Sequence, residues 1–277
     1  GYDYVGVSLD GIGVVHDQFR RQAGAYEAAL NGIRLCHERG IKVGLRFTMT
    51  ERNVESLPEM LDLIDREEID KFYLSHLVYA GRGNRHREDD AHHATTRRSM
   101  GMIFERCWDY VRRGVGKEFV TGNNDADGVY FLQWVARKFP EKVPHIRAKL
   151  EAWGGNSSGV NVANIDNLGA VHPDTFWWHY DLGNVRERPF SEIWPDTSDP
   201  IMAGLKQSPR RIGGRCGECR EFKICGGNTR VRAMQIADDP WEEDPGCYLT
   251  DAEIGIADTG GATGVPFERR QRALGTG

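Results

Sequence analysis

The first part of the chain alternates between two hydrophobic patterns. Apolar and polar positions alternate with a period of two in residues 5–10 and 41–50, as in β-strands, and residues 72–79 form a third strand-like run. Between these segments, apolar positions recur at helical spacing around Ile33 and Leu61. The order strand, helix, strand, helix, strand predicts parallel strands that are joined by right-handed crossovers.

One face of the predicted strands is strongly polar. Ser8 and Asp10 share a face of the first strand, and Arg46 and Thr48 share a face of the second. Parallel strands with one polar face favour a barrel over an open sheet that is buried on both sides. Ligands bind at the carboxyl ends of barrel strands, so these side chains are candidate ligand contacts. The alternative is that Arg46 and Thr48 are simply solvated.

The chain enters its first strand at once, without an initiating methionine. Three strands cannot close a barrel, because a closed barrel of this kind is built from about eight. We therefore expect earlier strands to precede residue 1.

Four of the six cysteines lie close together in the second half of the chain. They are Cys216, Cys219, Cys225 and Cys247. Four thiolates satisfy either a tetrahedral zinc ion or an iron–sulfur cluster, and the residue types do not distinguish the two. Two disulfide bonds are the remaining alternative.

The other two cysteines and one histidine have different surroundings. Cys36 and Cys107 lie on the apolar sides of predicted helices and are expected to be core residues. His179 follows two tryptophans. This aromatic run is either hydrophobic core with one histidine, or a flat wall for a planar ligand with His179 as hydrogen-bond or proton partner. His179 is therefore a candidate catalytic residue.

The composition is that of a soluble globular protein. The 277 residues carry a net charge of -5, which gives no reason to expect binding to nucleic acid or to a membrane surface. No apolar run approaches the roughly 20 residues that span a bilayer, and no secretory signal is present. A cytoplasmic location is expected, where thiols stay reduced, and this favours metal ligation over disulfides.

Several short motifs resemble one enzyme family. The segment 7–11 with His16, Asp17 and Arg20 resembles a barrel strand and loop of radical SAM enzymes, and the cysteine spacing resembles the outer auxiliary cluster of their SPASM-type domain. Further motifs resemble the NirJ family of haem d1 biosynthesis; they are residues 44–50, 79–84, 121–128, 161–167, 172–181 and 225–230. The likeness extends from Tyr4 to about Ile254.

The resemblance implies a fold and a domain order. The fold class is α/β: a partial radical SAM barrel with only its C-terminal strands, followed by a SPASM-like α+β auxiliary-cluster domain. The implied limits are 1–113 for the partial barrel, 114–155 for a helical connector and 156–254 for the iron–sulfur domain. The composition of residues 255–277, rich in glycine, threonine and charge, predicts a flexible tail.

The resemblance also implies cofactors and a substrate. The four clustered cysteines would hold an auxiliary [4Fe-4S] cluster. Ser8 and Arg20 would help to hold S-adenosylmethionine, with Asp10 and Arg46 lining the same lumen. The 5′-deoxyadenosyl radical would abstract hydrogen from a propionate side chain of 12,18-didecarboxysirohaem, a modified sirohaem, and an electron donor would be required. Enzymes that modify sirohaem or coprohaem side chains are the nearest alternative.

Two departures from the family pattern change the expectation. The CxxxCxxC motif for the SAM-activating [4Fe-4S] cluster does not occur in these residues, so that second cluster is expected on a preceding segment, and this chain alone is expected not to form the radical. The ligand positions of a second auxiliary cluster read Gly155–Ser158, His172–Asp174 and Thr229. One auxiliary cluster is therefore implied.

Overall fold

The computed structural model describes residues 1–257, so most of the tail that was predicted over 255–277 lies outside the described residues. None of the described helices has the length and apolar character needed to cross a membrane. The elements to residue 124 are β1 Tyr4–Ser8, α1 Val14–Arg20, α2 Ala25–His37, β2 Lys42–Met49, α3 Leu57–Arg66, β3 Lys71–His76, α4 Arg82–Arg85, α5 His93–Arg113 and β4 Glu118–Gly122.

The remaining elements are mostly short. They are α6 Ala126–Lys138, α7 Val143–Trp153, β5 Asn164–Ile165, β6 Val171–His172, α8 Phe190–Ile193, α9 Pro200–Lys206, α10 Gly214–Glu218, α11 Phe222–Cys225, α12 Arg230–Ala237 and α13 Asp251–Ile254. The chain divides into two compact units. We call residues 1–77 and 88–124 the sheet unit, and residues 78–87 and 125–257 the cysteine unit.

The sheet unit is built on four parallel strands in the order β1-β2-β3-β4. The α/β class with parallel strands is confirmed, but the sheet has one strand more than the three that were predicted. β4 pairs along β3 and lies beyond residue 113, where the barrel segment was expected to end. Its sequence, Glu-Phe-Val-Thr-Gly, is short and lacks a clear alternation, and for this reason the pattern did not reveal it.

The apolar face of the sheet forms the core of this unit. Val43, Leu45, Phe47 and Met49 of β2 are fully buried. α2 packs on this strand, and Ile33 on its inner side is also fully buried. Burial of each such side chain contributes about 1.5–3 kcal/mol to folding, and this fixes the apolar face of β2 toward the core. The opposite, polar face of the sheet therefore remains available to ligands.

The cysteine unit has its own hydrophobic core. Trp177 is completely buried in a cluster with Val78, Ile201, Met202, Leu205 and Val231. β5 and β6 form an antiparallel hairpin. α6, α7 and α11 pack against one another, and α11 carries Cys225. The packing of α6 and α7 against α11 therefore holds the part of the chain around Cys225 in place.

Candidate functional site

All four clustered cysteines line one cavity of the cysteine unit. The cavity is small, with a volume of about 20 Å³. Its other lining residues include apolar side chains, among them Val129, Phe222 and Leu249, and polar ones, among them Arg215 and Asp244. The structure thus brings Cys216, Cys219, Cys225 and Cys247 together, and they remain the predicted metal ligands.

Without a bound cation, the thiols of the four cysteines do not ionise readily. Burial raises the pKa of Cys225 well above its usual value and raises the pKa of Cys247 to about 12. Burial likewise raises the pKa of Cys216 and of Cys219. Because only thiolates ligate metals, binding of a metal centre here would release protons.

Two arginines hold the segment that carries the first three cysteines. Arg147 of α7 makes a forked pair with Glu221, with nitrogen–oxygen distances of 2.7 and 3.1 Å. Arg215 binds the Asp251 carboxylate at 2.6 Å and the Leu249 carbonyl at 2.5 Å. Glu221 is only 6% exposed, so its contact with Arg147 is partly desolvated. The two parallel hydrogen bonds of the pair also make its geometry specific.

A buried ion pair holds the segment that carries the fourth cysteine. Arg232 donates from Nε and Nη2 to the two carboxylate oxygens of Asp244, at 2.9 and 2.8 Å. Asp244 also accepts from the Thr229 and Gly246 backbone amides. The side chains of the pair are 1% and 0% exposed. This carboxylate therefore links α12 to the turn that precedes Cys247.

Gly155 lies against the backbone of Cys225, one of the predicted metal ligands, and this close approach can be tested. Gly154 and Gly155 both have left-handed φ angles, 76° and 73°, but a Cβ on Gly155 would overlap the Cys225 carbonyl, whereas the nearest atom to a Cβ on Gly154 is 3.8 Å away. We expect Gly154→Ala to lower the free energy of unfolding by about 1 kcal/mol through backbone strain. Gly155→Ala should cost about 3 kcal/mol and reduce iron uptake, since overpacking adds to the strain. Equal effects in denaturant titrations would contradict the close approach.

In the sheet unit, the predicted residues Asp10 and Arg20 bind each other. Arg20 Nη2 lies 2.5 Å from Asp10 Oδ2, and the Thr48 amide donates to Asp10 Oδ1 at 2.8 Å. The Asp10 amide donates to His16 Nδ1 at 2.9 Å. Burial raises the pKa of Asp10, and the Thr48 amide and the Arg20 charge oppose this shift. Asp10 therefore holds the loop after β1 in place, and the Arg20 guanidinium compensates the charge of its carboxylate.

The other predicted pair, Ser8 and Arg46, lies on the polar face of the sheet. The two residues are register partners on β1 and β2, so their side chains project to the same side. Both are exposed. Of the four predicted residues, Asp10 and Arg20 thus form an ion pair with each other, whereas Ser8 and Arg46 are neighbours that face solvent.

Two asparagines at the carboxyl ends of the strands were not predicted as site residues. Asn53 is buried and donates to the Asp10 carbonyl at 3.1 Å and to the Thr48 carbonyl at 2.8 Å, which ties β1 to β2. Asn123 donates to the Ser75 hydroxyl at 2.7 Å. The available signal was position, because each asparagine closely follows a strand.

His179 does not line the cysteine cavity. It is exposed, stacks on Trp177 with ring centroids 5.8 Å apart, and lies 3.5 Å from the Gln235 side-chain nitrogen. Partial desolvation of the ring lowers the pKa of His179, as does the nearby His172. Trp177 belongs to the core, whereas Trp178 is 56% exposed. The catalytic role of His179 stays a prediction.

The chain has well-matched relatives in sequence, although no protein-family model matches it. It is 59% identical to pre-heme d1 synthase of Dinoroseobacter shibae over 259 residues, which is 93% of this chain and 64% of that protein. It is 45% identical to Fe-coproporphyrin III synthase of Methanosarcina barkeri over 258 residues, 92% of this chain and 65% of that protein. The chain thus spans somewhat less than two thirds of the length of these relatives.

The fold also matches a solved structure. SuiB of Streptococcus suis, crystallised with its precursor peptide SuiA, superimposes with a TM-score of 0.65 at 16% identity, over 89% of this chain and 53% of SuiB. SuiB has also been crystallised with S-adenosylmethionine, and that structure gives a TM-score of 0.63. This likeness concerns the fold, which is that of radical SAM enzymes with a SPASM domain. In fold the chain matches radical SAM enzymes with a SPASM domain, and in sequence it is similar to pre-heme d1 synthase.

Proposed function

We propose that this protein works as a radical SAM enzyme of haem d1 biosynthesis that acts on propionate side chains of 12,18-didecarboxysirohaem. The observation that carries the proposal is the 59% identity to a pre-heme d1 synthase over almost the whole chain. The convergence of four cysteines on one cavity of the cysteine unit supports it, since such enzymes depend on iron–sulfur chemistry. S-adenosylmethionine and an electron donor are the cofactor and partner that this reaction requires.

We further propose that Cys216, Cys219, Cys225 and Cys247 hold an auxiliary [4Fe-4S] cluster. Among residues 1–257, no three of these sulfur atoms lie within 4.8 Å of one another. Around one zinc ion, with zinc–sulfur distances of about 2.3 Å, tetrahedral geometry places the sulfurs about 3.8 Å apart. A cluster binds each thiolate through a different iron and so suits a wider spread. When bound, the cluster supplies one-electron redox chemistry.

The chain's own residues prepare this site in two ways. Arg147 and Arg215 fix the backbone around the first three cysteines, so little ordering is left for the moment of binding. Phe222, Val129 and Leu249 line the cavity with apolar surface, which limits access of water to the sulfurs. An apolar lining and a fixed backbone are features that tune the reduction potential of the group that such a cavity holds.

The polar face of the sheet unit is the proposed binding surface for S-adenosylmethionine and substrate. The Ser8 hydroxyl and the Arg46 guanidinium suit carboxylate and ribose oxygens. The Arg20 side chain is 38% accessible to solvent, while Asp10 fixes its position. Arg20 can thus still contact a ligand.

A related tetrapyrrole reaction is the second candidate. It is favoured by the 45% identity to an Fe-coproporphyrin III synthase, which extends over nearly the same residues. The two candidates share the cofactors and differ in the macrocycle that is bound.

Anaerobic reconstitution with iron and sulfide tests the proposed function. We expect about four iron and four sulfide per chain, with the broad visible absorbance of a [4Fe-4S] cluster. The reconstituted protein should then bind 12,18-didecarboxysirohaem more tightly than Fe-coproporphyrin III, as measured by absorbance titration. A colourless protein with one zinc per chain would instead indicate a zinc-binding module. The opposite ligand preference would favour the second candidate.

A further inference from the structure

Arg230 is a fully buried arginine whose guanidinium binds backbone carbonyls instead of a carboxylate. It begins α12, and it is 0% exposed. The carbonyls that accept its hydrogen bonds are those of Gly227, Asn228, Pro240 and Glu242. Within the part of the chain that the structure describes, no aspartate or glutamate forms an ion pair with it. A buried charge without a counter-charge is costly, so its presence here requires a reason.

The neighbouring arginines of the cysteine unit each have a carboxylate nearby. The ion pairs are Arg232 with Asp244, Arg215 with Asp251, and Arg147 with Glu221. Burial and the neighbouring Arg230 charge lower the pKa of Arg210 to about 10, and the carboxylates of Asp125 and Asp174 oppose this shift. Arg230 differs from these four arginines because its guanidinium is bound by carbonyl oxygens alone.

The Arg230 guanidinium lies behind the wall of the cysteine cavity. Gly227 and Asn228, which accept two of its hydrogen bonds, both line that cavity. Burial raises the pKa of Cys216, and the Arg230 charge is the largest of the influences that oppose this shift. The buried positive charge therefore acts at the place where the four cysteine sulfurs converge.

An iron–sulfur cluster that is held by four thiolates supplies the missing negative charge. The oxidised [4Fe-4S] core contributes about two positive charges against the four thiolates, and one-electron reduction adds a further negative charge. A buried cation beside the cavity stabilises both forms, and it stabilises the more negative, reduced form to a greater extent. The net charge around a cluster is one of the factors that set its reduction potential.

We propose that Arg230 provides the buried counter-charge of the auxiliary cluster and raises its reduction potential. The inference rests on the [4Fe-4S] cluster proposed above. The hydrogen bonds of Arg230 also join the loop after Cys225 to the segment before Cys247. Its charge and its hydrogen bonds are thus two separate contributions, and the experiment has to distinguish them.

Redox titration of the reconstituted full chain tests the role of the charge. Arg230→Gln removes the charge but keeps a hydrogen-bond donor, whereas Arg230→Lys keeps both the charge and a donor. In Arg230→Gln we expect the equilibrium constant for one-electron reduction to fall about tenfold, which lowers the midpoint potential by about 59 mV. Arg230→Lys should keep a potential close to that of the wild type. Dithionite supplies the electron, and electron paramagnetic resonance of the reduced cluster follows the titration.

Arg220→Gln is the matched control for this shift. Arg220 directly follows the proposed ligand Cys219, so its replacement removes the same charge close to the cluster in sequence. The Arg220 side chain is 61% exposed, however, and solvent and salt screen an exposed charge. Its potential should therefore shift by less than about a third of the shift expected for Arg230→Gln.

Denaturant titration of the metal-free variants gives a second measurement, which does not depend on the cluster. Without thiolates the charge at position 230 has no anion to compensate, so metal-free Arg230→Gln should be at least as stable as metal-free Arg230→Lys. After reconstitution the order should reverse, and the lysine variant should retain more iron per chain. Loss of iron uptake in the glutamine variant alone would support the same role.

Three results would overturn the inference. They are an unchanged potential in Arg230→Gln, an equal fall of the potential in the lysine and glutamine variants, and a metal-free glutamine variant that is less stable than the lysine variant. A wild-type chain that takes up no iron and sulfide would instead overturn the proposed cluster.

Discussion

Replacement of Cys219 by alanine is expected to abolish the complete iron–sulfur cluster. The cavity offers four cysteine sulfurs, and the variant leaves three, so that one iron has no protein ligand. The two remaining cysteines, Cys36 and Cys107, belong to the sheet unit and do not line this cavity. The variant should lose nearly all of the four-iron absorbance, measured with iron and sulfide content after anaerobic reconstitution. A full [4Fe-4S] spectrum in Cys219→Ala would contradict the assignment.

Cys107→Ala is the matched control for this experiment. Cys107 lies on α5 and does not line the cysteine cavity. Burial raises its pKa to about 12, which makes it an unreactive thiol. Its replacement removes one cysteine of the same type while leaving the four proposed ligands intact. Iron content per chain should equal that of the wild type, and a loss of iron would show that Cys107 participates in metal binding.

Local patterns in the sequence predicted the parts of the fold that depend on burial of regular elements. β2 is the clearest example, because its alternation places Val43, Leu45, Phe47 and Met49 in the core and leaves Arg46 on the polar face. β4 was missed because its five residues carry no periodic signal, and its place in the sheet depends on pairing with β3.

The candidate site shows the same division between local and distant information. Cysteine spacing alone indicated a four-ligand site, because ligand type and proximity in sequence are both local. The contacts that hold this site join residues far apart in sequence, such as Arg147 with Glu221. Arginine is usually exposed, so a sequence gives no reason to bury one. Arg230 and Arg232 are nevertheless 0% and 1% exposed, and their acceptors are known only from the fold.

Asp244→Asn is expected to lower the free energy of unfolding of the cysteine unit by about 3 kcal/mol. The change removes the carboxylate charge and leaves the Arg232 guanidinium in a site where both side chains are almost completely inaccessible to water. Breaking a buried ion pair by removing one partner costs about 3–5 kcal/mol, since the remaining charge has lost its compensation. Asparagine retains one acceptor oxygen, which places the expected cost at the lower end of this range. Denaturant titration of the metal-free chain, followed by tryptophan fluorescence, measures the effect.

Glu118→Gln provides the comparison, because Glu118 also pairs with a cation but is 63% exposed. An exposed pair of this kind contributes at most about 1 kcal/mol, so the variant should unfold nearly as the wild type does. Asp244 also lines the cysteine cavity, and its replacement should therefore reduce cluster incorporation as well as stability. If Asp244→Asn is no more destabilising than Glu118→Gln, the Arg232–Asp244 pair does not stabilise the turn before Cys247.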